Sequence, residues 1–330
     1  PGNGGTRSIG TSADLDPMDF QSVERYIRKN QIDLVVVGPE APLVNGIADY
    51  LEDSKKVNVK VVGPRKAGAL LEGSKRFAKE FMHRHSIPTA RYGSFNNTQF
   101  EKAVSFLDTV SPPYVLKADG LAAGKGVVIT SSKQEAKDTL KSMLLDGAFD
   151  GAGSEVVIEE YLDGKEVSMF AITDGRRFHL LPSAKDYKRL GDGDTGPNTG
   201  GMGAISPVPF LTEEFQEKAL NQIIIPTIKG LEKEGIPYVG FLFFGLMKVG
   251  SDPFVVEYNC RLGDPETEVI LPRIKSDLLH LFDSLCSGLL SEYDLVVDDR
   301  AASTVVLASE GYPGPYEKGK EIKFSDDIDT

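Results

Sequence analysis

The sequence predicts a mixed fold, α/β plus α+β, with a Rossmann-like parallel sheet at the N-terminus. Two short apolar runs, 33–38 and 59–64, each follow a helical pattern and each end in Gly-Pro. A repeated unit of helix and buried strand is typical of an open parallel sheet. Beyond Pro88 the apolar runs follow one another through turns, which favours antiparallel pairing. The two patterns indicate two differently built regions.

The first region is predicted to begin with a glycine-rich loop. Residues 1–6 read Pro-Gly-Asn-Gly-Gly-Thr and are interpreted as the loop after a strand that the chain lacks. Helices over 20–29 and about 42–53 precede the two strands. Ligands of such sheets bind outside the carboxyl ends of the strands. Glu40 lies in one of these loops and is a candidate ligand-binding residue.

The second region is predicted to begin with a helix that Ser74 caps and that ends near His85. Asp163-Gly164 and Asp174-Gly175 are hairpin signals. Ser276 is the predicted N-cap of a later helix, which Gly288 ends. The predicted strands are 114–118, 127–130, 156–161, 166–172, 178–181, 238–248, 254–258 and 303–308, and the predicted helices are 134–145, 212–234 and 276–287.

Composition excludes several classes of protein. The net charge is −12 without a long Lys/Arg block, so we expect no nucleic-acid partner. The two cysteines, Cys260 and Cys286, exclude a disulfide framework and suit a reducing compartment. No apolar run approaches the roughly 20 residues of a membrane span, and no leader is recognisable. The expectation is a cytoplasmic protein without a membrane partner.

The strand ending at Asn259 carries oxygen donors for a metal ion. Alternation places Glu257 and Asn259 on one face and Val256 and Tyr258 on the other. Arg261 shares the first face if the strand continues. A carboxylate and an amide carbonyl suit Mg²⁺, which takes its other ligands from phosphates and water, and they do not suit Zn²⁺. A solvated strand end is the alternative interpretation.

Two glycine-rich segments are candidate binding loops. Residues 117–126 join two strands and hold three glycines with Lys117 and Lys125, a composition typical of a phosphate-binding flap. A Walker A loop would run into a helix, whereas this chain re-enters a strand. Residues 191–203 resemble a shaped binding loop. The alternatives are a hairpin turn with surface lysines for the first segment and a disordered linker for the second.

The order of these features resembles that of the ATP-grasp ligases: Ser74-Lys75, Lys117 with its flap, Val157–Leu162 and Glu257-x-Asn259. Longer strings are similar to those of one family, the phosphoribosylamine–glycine ligases: Gly38-Pro-Glu-Ala-Pro-Leu43, Lys117-Ala-Asp-Gly-Leu-Ala-Ala-Gly-Lys-Gly126, Asp194-Thr-Gly-Pro-Asn-Thr-Gly-Gly-Met-Gly203 and Asn259-Cys-Arg-Leu-Gly-Asp-Pro-Glu-Thr267. The resemblance covers nearly the whole chain.

The resemblance implies the domain organisation. Residues 1–72 would form the N-terminal α/β domain without its first strand, and 73–295 an ATP-grasp domain with a small mobile lid at about 93–163. Residues 296–330 would begin an incomplete C-terminal domain. The chain would be a monomer or homodimer.

The resemblance also implies the reaction. The family joins glycine to 5-phosphoribosylamine with ATP and Mg²⁺ or Mn²⁺, through a glycyl phosphate, and releases glycinamide ribonucleotide, ADP and phosphate. A sibling ATP-grasp carboxylate–amine ligase and a nucleotide-binding sensor without catalysis are the alternatives. Residues 241–247 lack the acidic metal ligand that related enzymes often carry there, so the metal would rest on Glu257, Asn259 and phosphates.

Site residues follow from the same resemblance. The ATP-binding residues would be Lys75, Lys117, Gly124, Lys125, Gly126, Glu159, Glu160, Tyr161, Leu162 and Glu166, of which Glu160 to Leu162 receive adenine and Glu166 the ribose. The substrate-binding residues would be Gly4, Gly5, Glu40, Asp194, Gly196, Asn198, Thr199, Gly200 and Arg261. Arg261 and Lys125 would be catalytic, acting on the acyl phosphate and the phosphates.

Overall fold

The computed structural model describes residues 2–121, 126–146, 155–193 and 195–322. The first elements along the chain are α1 Gly4–Ile9, α2 Phe20–Asn30, β1 Leu34–Val36, α3 Glu40–Val44, α4 Ile47–Glu52, β2 Lys60–Val62, α5 Lys66–Gly73 and α6 Lys75–Arg84. Strands β1 and β2 pair in parallel, with Leu34 opposite Lys60. The predicted parallel pairing of the N-terminal region is confirmed.

Two predictions for this region are wrong. Residues 4–9 are helical instead of forming a loop, because the Asn3 side chain accepts the Thr6 N–H and the Thr6 hydroxyl interacts with Asn3 in return. The single helix over 42–53 is two helices, since Gly46 adopts φ +90° between them. The first of these helices begins at Glu40.

The next elements form a four-stranded antiparallel sheet with two helices, β3 Tyr92–Asn96, α7 Phe100–Phe106, β4 Tyr114–Ala118, β5 Val127–Thr130, α8 Lys133–Leu144 and β6 Glu155–Glu160. The strand order is β3-β6-β4-β5. Strand β3 was not predicted, because Gly93, Ser94 and Asn96 interrupt its apolar pattern. The prediction of a single helix in this region, at 134–145, is wrong, because α7 is a second one. Residues including Leu116, Leu140 and Ile158 give this sheet its own core.

A six-stranded sheet forms the centre of the remaining chain. The strands from this point are β7 Lys165–Thr173, β8 Phe178–Asp186, β9 Arg189–Gly191, β10 Thr195–Asn198, β11 Gly203–Ser206, β12 Gly240–Val249, β13 Asp252–Asn259 and β14 Ala302–Val305. The order in the large sheet is β13-β12-β7-β8-β11-β14, and β9 pairs with β10 in a separate hairpin. The predicted strand pair at 238–258 is confirmed as β12 and β13.

Only one of the two hairpin signals joins paired strands. Asp174-Gly175 connects the antiparallel strands β7 and β8, and Gly175 has φ +89°. Asp163-Gly164 connects β6 to β7, which lie in different sheets, so that prediction is wrong. Gly164 instead allows a close approach to the Lys248 carbonyl, because an added Cβ would lie 2.4 Å from that oxygen.

The remaining helices are α9 Glu213–Ala219, α10 Ile225–Lys233, α11 Thr267–Ile270 and α12 Leu278–Cys286, and a π-helical turn, Leu220–Ile224, joins the first two. Asp277, and not Ser276, is the N-cap of α12, since its side chain accepts the His280 N–H. Ser276 donates to the Asp294 carbonyl instead. Gly288, at φ +71°, follows the helix as predicted.

The large sheet separates two apolar cores. Alternate residues of β7 and β12 face opposite sides, so Met169 and Phe244 join the core with the N-terminal helices and α9–α10. Phe170 and Phe243 join the core with α11 and α12, and their rings meet at 5.0 Å. Within the described ranges, no helix has the length and apolar character needed to cross a membrane.

Candidate functional site

The end of strand β13 presents Glu257 and Asn259. An unbroken register pairs Gly245 with Glu257 and Phe243 with Asn259, so both side chains lie on one face. Glu257 is exposed and Asn259 is partly buried. The prediction that Val256 and Tyr258 share the opposite face is wrong. A β-bulge inserts Val256 as an extra residue, and the buried residues are Val255 and Tyr258.

The chemistry of these two donors fits a hard divalent cation. A carboxylate and an amide oxygen leave most coordination positions for phosphates and water, as such cations prefer. Gly245, directly opposite Glu257, offers no third ligand. In the described part of the chain, no group of three His, Cys, Asp or Glu residues is arranged to hold a metal ion.

Lys75 approaches the same strand end from α6. Ser74 caps this helix by accepting the Phe77 N–H, as predicted, and the Lys75 ammonium donates to the Gly120 carbonyl at 2.9 Å. Burial lowers the pKa of Lys75, and the charges of Glu257 and Asp119 oppose that effect. The predicted phosphate ligand and the predicted metal ligand are therefore electrostatic neighbours.

Lys117 belongs to a buried ionic network that we call the lysine–glutamate chain, made of Lys79, Glu159 and Lys117. The two ammonium groups lie 3.0 and 2.9 Å from the two oxygens of the Glu159 carboxylate. Although burial opposes ionisation of Glu159, the lysine charges hold its pKa below the usual value. Burial lowers the pKa of Lys79 to about 8, against the charge of Glu159. Glu159 thus contacts lysines with its side chain.

Arg261 lies beyond the strand, which ends at Asn259, so the expected continuation of the alternation is wrong. The buried Glu72 carboxylate accepts the Cys260 N–H at 2.8 Å, immediately after the end of the strand. Glu72 also pairs with the Arg261 guanidinium at 3.0 Å, and Glu40 lies 3.2 Å from its Nε. Burial opposes the charged form, but the charges of Glu72 and Glu40 raise the pKa of Arg261.

Glu166 lies beside a second group of charges. Its carboxylate is 3.2 Å from the Lys188 ammonium. Burial works against the charged Lys188, yet Glu166, Glu257 and Asp186 together raise its pKa. Burial, followed by the charge of Glu266, raises the pKa of Asp186 to about 7. The negative charge of Glu257 therefore contributes to raising the pKa values of Lys75, Lys188 and Arg261.

The predicted adenine-binding segment ends β6. Glu160 accepts the Arg91 N–H at 2.9 Å, and its own N–H donates to the Arg91 carbonyl. Tyr161 is 43% exposed, and Leu162 is partly buried. Glu160 and Tyr161 line a cleft with Arg91 and residues 109–113. An open cleft beside strand-end backbone leaves room for a planar base.

Other predicted residues are not joined to this group. Gly124, Lys125 and Asp194 lie outside the described residues. Gly126 is buried, and its carbonyl accepts the Ala118 N–H. The hydrogen bonds that the described chain gives α1, which contains Gly4 and Gly5, stay within residues 3–10.

Residues 195–198 form strand β10, which pairs with β9, so the segment is a hairpin and not a linker. Gly196 and Asn198 are exposed there. The Thr199 hydroxyl donates to the Lys188 carbonyl, and the Gly200 N–H donates to the Tyr312 hydroxyl. Thr199 therefore ties this hairpin to the backbone of Lys188, whose side chain faces Glu166.

Sequence reasoning missed Glu72, Lys79, Asp186, Lys188 and Glu266. The spacing of Lys79, four residues after Lys75 on α6, could have placed it on the same helix face. For Asp186 and Lys188 alternation gives no such signal, because strand β8 ends at Asp186. For Glu72 no local signal exists, because its partners Cys260 and Arg261 are distant in the chain.

Comparison with known families supplies independent information. Residues 73–267 match the family model for the phosphoribosylglycinamide synthetase ATP-grasp (A) domain, and residues 1–72 match the model for its N domain. Together the two models cover well over half of the chain, and their boundary coincides with the start of the second region.

Two relatives from distant organisms are both phosphoribosylamine–glycine ligases. A phosphoribosylamine–glycine ligase of Haemophilus influenzae is 46% identical over 98% of this chain and 75% of its own length. A chloroplastic phosphoribosylamine–glycine ligase of Arabidopsis thaliana is 47% identical over 98% of this chain and 61% of its own length.

The solved structures agree with the sequence matches. The crystal structure of phosphoribosylamine–glycine ligase from Thermotoga maritima superposes with a TM-score of 0.83 at 38% identity, covering 99% of this chain and 78% of that one. The family that the motifs predicted is confirmed, and the fold is that of an ATP-grasp enzyme. The chain belongs to the phosphoribosylamine–glycine ligases, a family of ATP-dependent ligases.

Proposed function

We propose that this chain joins glycine to 5-phosphoribosylamine in purine biosynthesis through an enzyme-bound glycyl phosphate. ATP would phosphorylate the glycine carboxylate, and the amine would then displace phosphate to give glycinamide ribonucleotide. The family and the names of the relatives support the overall reaction. The glycyl phosphate and the roles of single residues are part of the proposal.

One observation carries the assignment of residues. Glu257, the metal-ligand candidate, acts electrostatically on Lys75, Lys188 and Arg261, which come from three different parts of the chain. A cluster of cations around one exposed carboxylate suits a metal-bound triphosphate, because the metal and the cations together neutralise the phosphate charge.

The first step needs alignment and charge neutralisation more than covalent help from the protein. A carboxylate oxygen of glycine attacks the γ-phosphorus, and the bond to the ADP oxygen breaks. Lys75, Lys117 and the flap residues Gly124, Lys125 and Gly126 would hold the phosphates. Glu159 would orient the lysines, while the backbone of residues 160–162 would receive adenine and Glu166 the ribose hydroxyls.

The second step transfers the glycyl group. The amine nitrogen attacks the carbonyl carbon, the bond to the phosphate oxygen breaks, and the nitrogen loses a proton. Arg261 would stabilise the charge that develops on the acyl phosphate. The substrate residues would be Gly4, Gly5, Glu40, Asp194, Gly196, Asn198, Thr199, Gly200 and Arg261.

Glu257 and Asn259 would hold Mg²⁺ or Mn²⁺, which when bound supplies charge neutralisation at the transferring phosphate. We also propose that the protein is cytoplasmic, that it is a monomer or homodimer, and that it has no nucleic-acid or membrane partner. The proposed domains are 1–72, 73–295 and 296–330, and the second contains a mobile lid at about 93–163.

The test is phosphate release by this chain with ATP, Mg²⁺, glycine and freshly made 5-phosphoribosylamine. We expect release only when both substrates are present. Release with another amino acid in place of glycine would indicate a sibling ligase. ATP binding without any release would indicate a nucleotide sensor, and either outcome would contradict the proposal.

Glu257→Gln tests the metal site. We expect turnover to fall by at least about a hundredfold with unchanged thermal unfolding, because the exposed carboxylate supports charge neutralisation and not the core. Phosphate release and circular dichroism measure the two effects. Glu268→Gln removes another exposed carboxylate, on helix α11, as the matched control and should retain activity. Unfolding of Glu257→Gln would indicate that Glu257 is a structural residue.

A further inference from the structure

The lysine–glutamate chain carries an excess of positive charge inside the protein. The side chains of Lys79, Glu159 and Lys117 are 2%, 4% and 7% exposed. Two ammonium groups share one carboxylate, which leaves a net charge of about one positive unit. Buried charge is costly unless a counter-charge reaches it, so this arrangement suits an anion that binds next to it.

The three groups do not have the same access to such an anion. The Lys79 ammonium is enclosed by the Glu159 carboxylate, the Thr89 hydroxyl at 2.7 Å and the face of the Tyr92 ring at 5.8 Å. Lys117 stands at the end of β4, where the chain enters the glycine-rich flap. Among the described residues Lys79 is therefore enclosed by its neighbours, whereas the charge of Lys117 acts on Lys75, the other lysine proposed to hold the phosphates.

The same network holds the backbone of β13 just before Glu257. The Thr89 hydroxyl donates to the Val255 carbonyl at 2.7 Å, and the Lys117 ammonium donates to the Val256 carbonyl at 3.2 Å. Val256 is the extra residue of the β-bulge. Lys79, through Thr89 and Glu159, is thus linked to both consecutive carbonyls of the bulge that precedes Glu257.

We infer that Lys79 is a positioning residue of the nucleotide site, which keeps Lys117 from being neutralised by Glu159 and so leaves its charge for the phosphates of ATP. This inference rests on the proposed function for the identity of the anion. Without Lys79, Glu159 and Lys117 form a closed neutral pair. Lys79 then acts through the net charge of the lysine–glutamate chain. A second substitution within that network can restore this net charge.

The first test is Lys79→Met, which keeps the length of the side chain and removes its charge. Loss of one unit of positive charge from the lysine–glutamate chain should weaken ATP binding by about tenfold. Calorimetry with Mg²⁺ and ATP measures this directly, and steady-state assays should give a raised KM for ATP with the KM for glycine changed less than about twofold. Lys229→Met removes a charge from the exposed face of α10 and is the control expected to bind like wild type.

The double variant Lys79→Met/Glu159→Gln separates charge balance from packing. It leaves Lys117 beside a neutral amide and restores the net charge of about +1, so we expect it to bind ATP at least about threefold more tightly than Lys79→Met. Lys79→Arg, which keeps the charge, should also bind well. A purely structural role predicts that the double variant binds no better than Lys79→Met.

The outcomes are distinguishable from failure of the proposed function. Wild-type protein that does not bind ATP would overturn the function itself. Wild type that binds ATP, with Lys79→Met binding equally well, would overturn only the positioning role. If Lys79→Met does not fold, the double variant compared with wild type decides, and a folded double variant that has lost about tenfold or more in affinity contradicts the inference.

Discussion

The lysine–glutamate chain and the Asp186–Glu266 pair are both buried groups of charges, yet their charges are balanced in opposite ways. In the first, one carboxylate lies between two ammonium groups. In the second, burial, followed by the charge of Glu266, raises the pKa of Asp186, and within the described residues the buried Oδ1 atom of Asp186 has no hydrogen-bond partner. The two lysine charges therefore favour ionisation of Glu159, whereas burial and the charge of Glu266 oppose ionisation of Asp186.

The difference teaches that neighbouring positive charges can reverse the effect of burial on the pKa of an acid. Glu159 is as enclosed as Glu266, at 3% exposure each, but only Glu159 has two cations on its oxygens. Glu266 is held by the Ser168 hydroxyl at 2.9 Å. Neutralisation of one acid in each group, Glu159 in the first and Asp186 in the second, should therefore have effects of opposite sign.

The largest effect is expected for Glu159→Gln. It leaves two buried ammonium groups without their anion, which should lower the free energy of unfolding by about 3–5 kcal/mol at pH 7. Because the lysines would then have folded pKa values below their unfolded values, stability should recover as the pH rises through that interval. Urea unfolding at pH 7 and pH 9 measures this, and an equal loss at both pH values would contradict the electrostatic explanation.

Asp186→Asn should have a smaller effect of the opposite sign. The folded pKa of Asp186 is raised to about 7 from 3.8, so the folded protein binds more protons between these values, and wild-type stability falls as the pH rises from about 4 to 7. Asparagine removes that dependence. With allowance for the water that reaches this partly exposed side chain, we expect a gain of roughly 1–2 kcal/mol at pH 8.

The measurement is thermal or urea unfolding of both proteins at pH 4, 6 and 8. The curves should approach each other at pH 4, close to the unfolded pKa of 3.8, and separate at pH 8. Asp138→Asn, on an exposed position of α8, is the matched control that should show no such separation. A variant less stable than wild type at pH 8 would show that the Asp186 carboxylate is needed as an acceptor.

The sequence allowed the elements with strong local patterns to be predicted, and the reasons are visible in the structure. The apolar strands β4, β7 and β12 and the capped helix α6 combine a clear period with clear ends. Strand β3 was missed because its residues are all only partly buried and include small polar ones. The bulge at Val256 was missed because it depends on pairing with β12.

The candidate site was predictable where motif and strand end coincide, as for Glu257, Asn259 and Lys117. Its supporting residues were not, because each contacts a partner far along the chain. Lys79 meets Glu159 from another element, and Glu72 meets Cys260 across 188 positions. Such contacts are set by packing of whole elements, which local periodicity does not encode.

The smallest effect is expected from single hydroxyl groups. Ser168→Ala removes the donor to the buried Glu266 carboxylate, and the loss of this hydrogen bond should lower the free energy of unfolding by about 1 kcal/mol. Ser94→Ala is the matched control, since the buried Ser94 hydroxyl has no partner among the described residues, and its loss should be neutral or slightly stabilising. Urea unfolding of both variants measures the difference, and equal destabilisation by the two would mean that Ser168 contributes packing and not a hydrogen bond to Glu266.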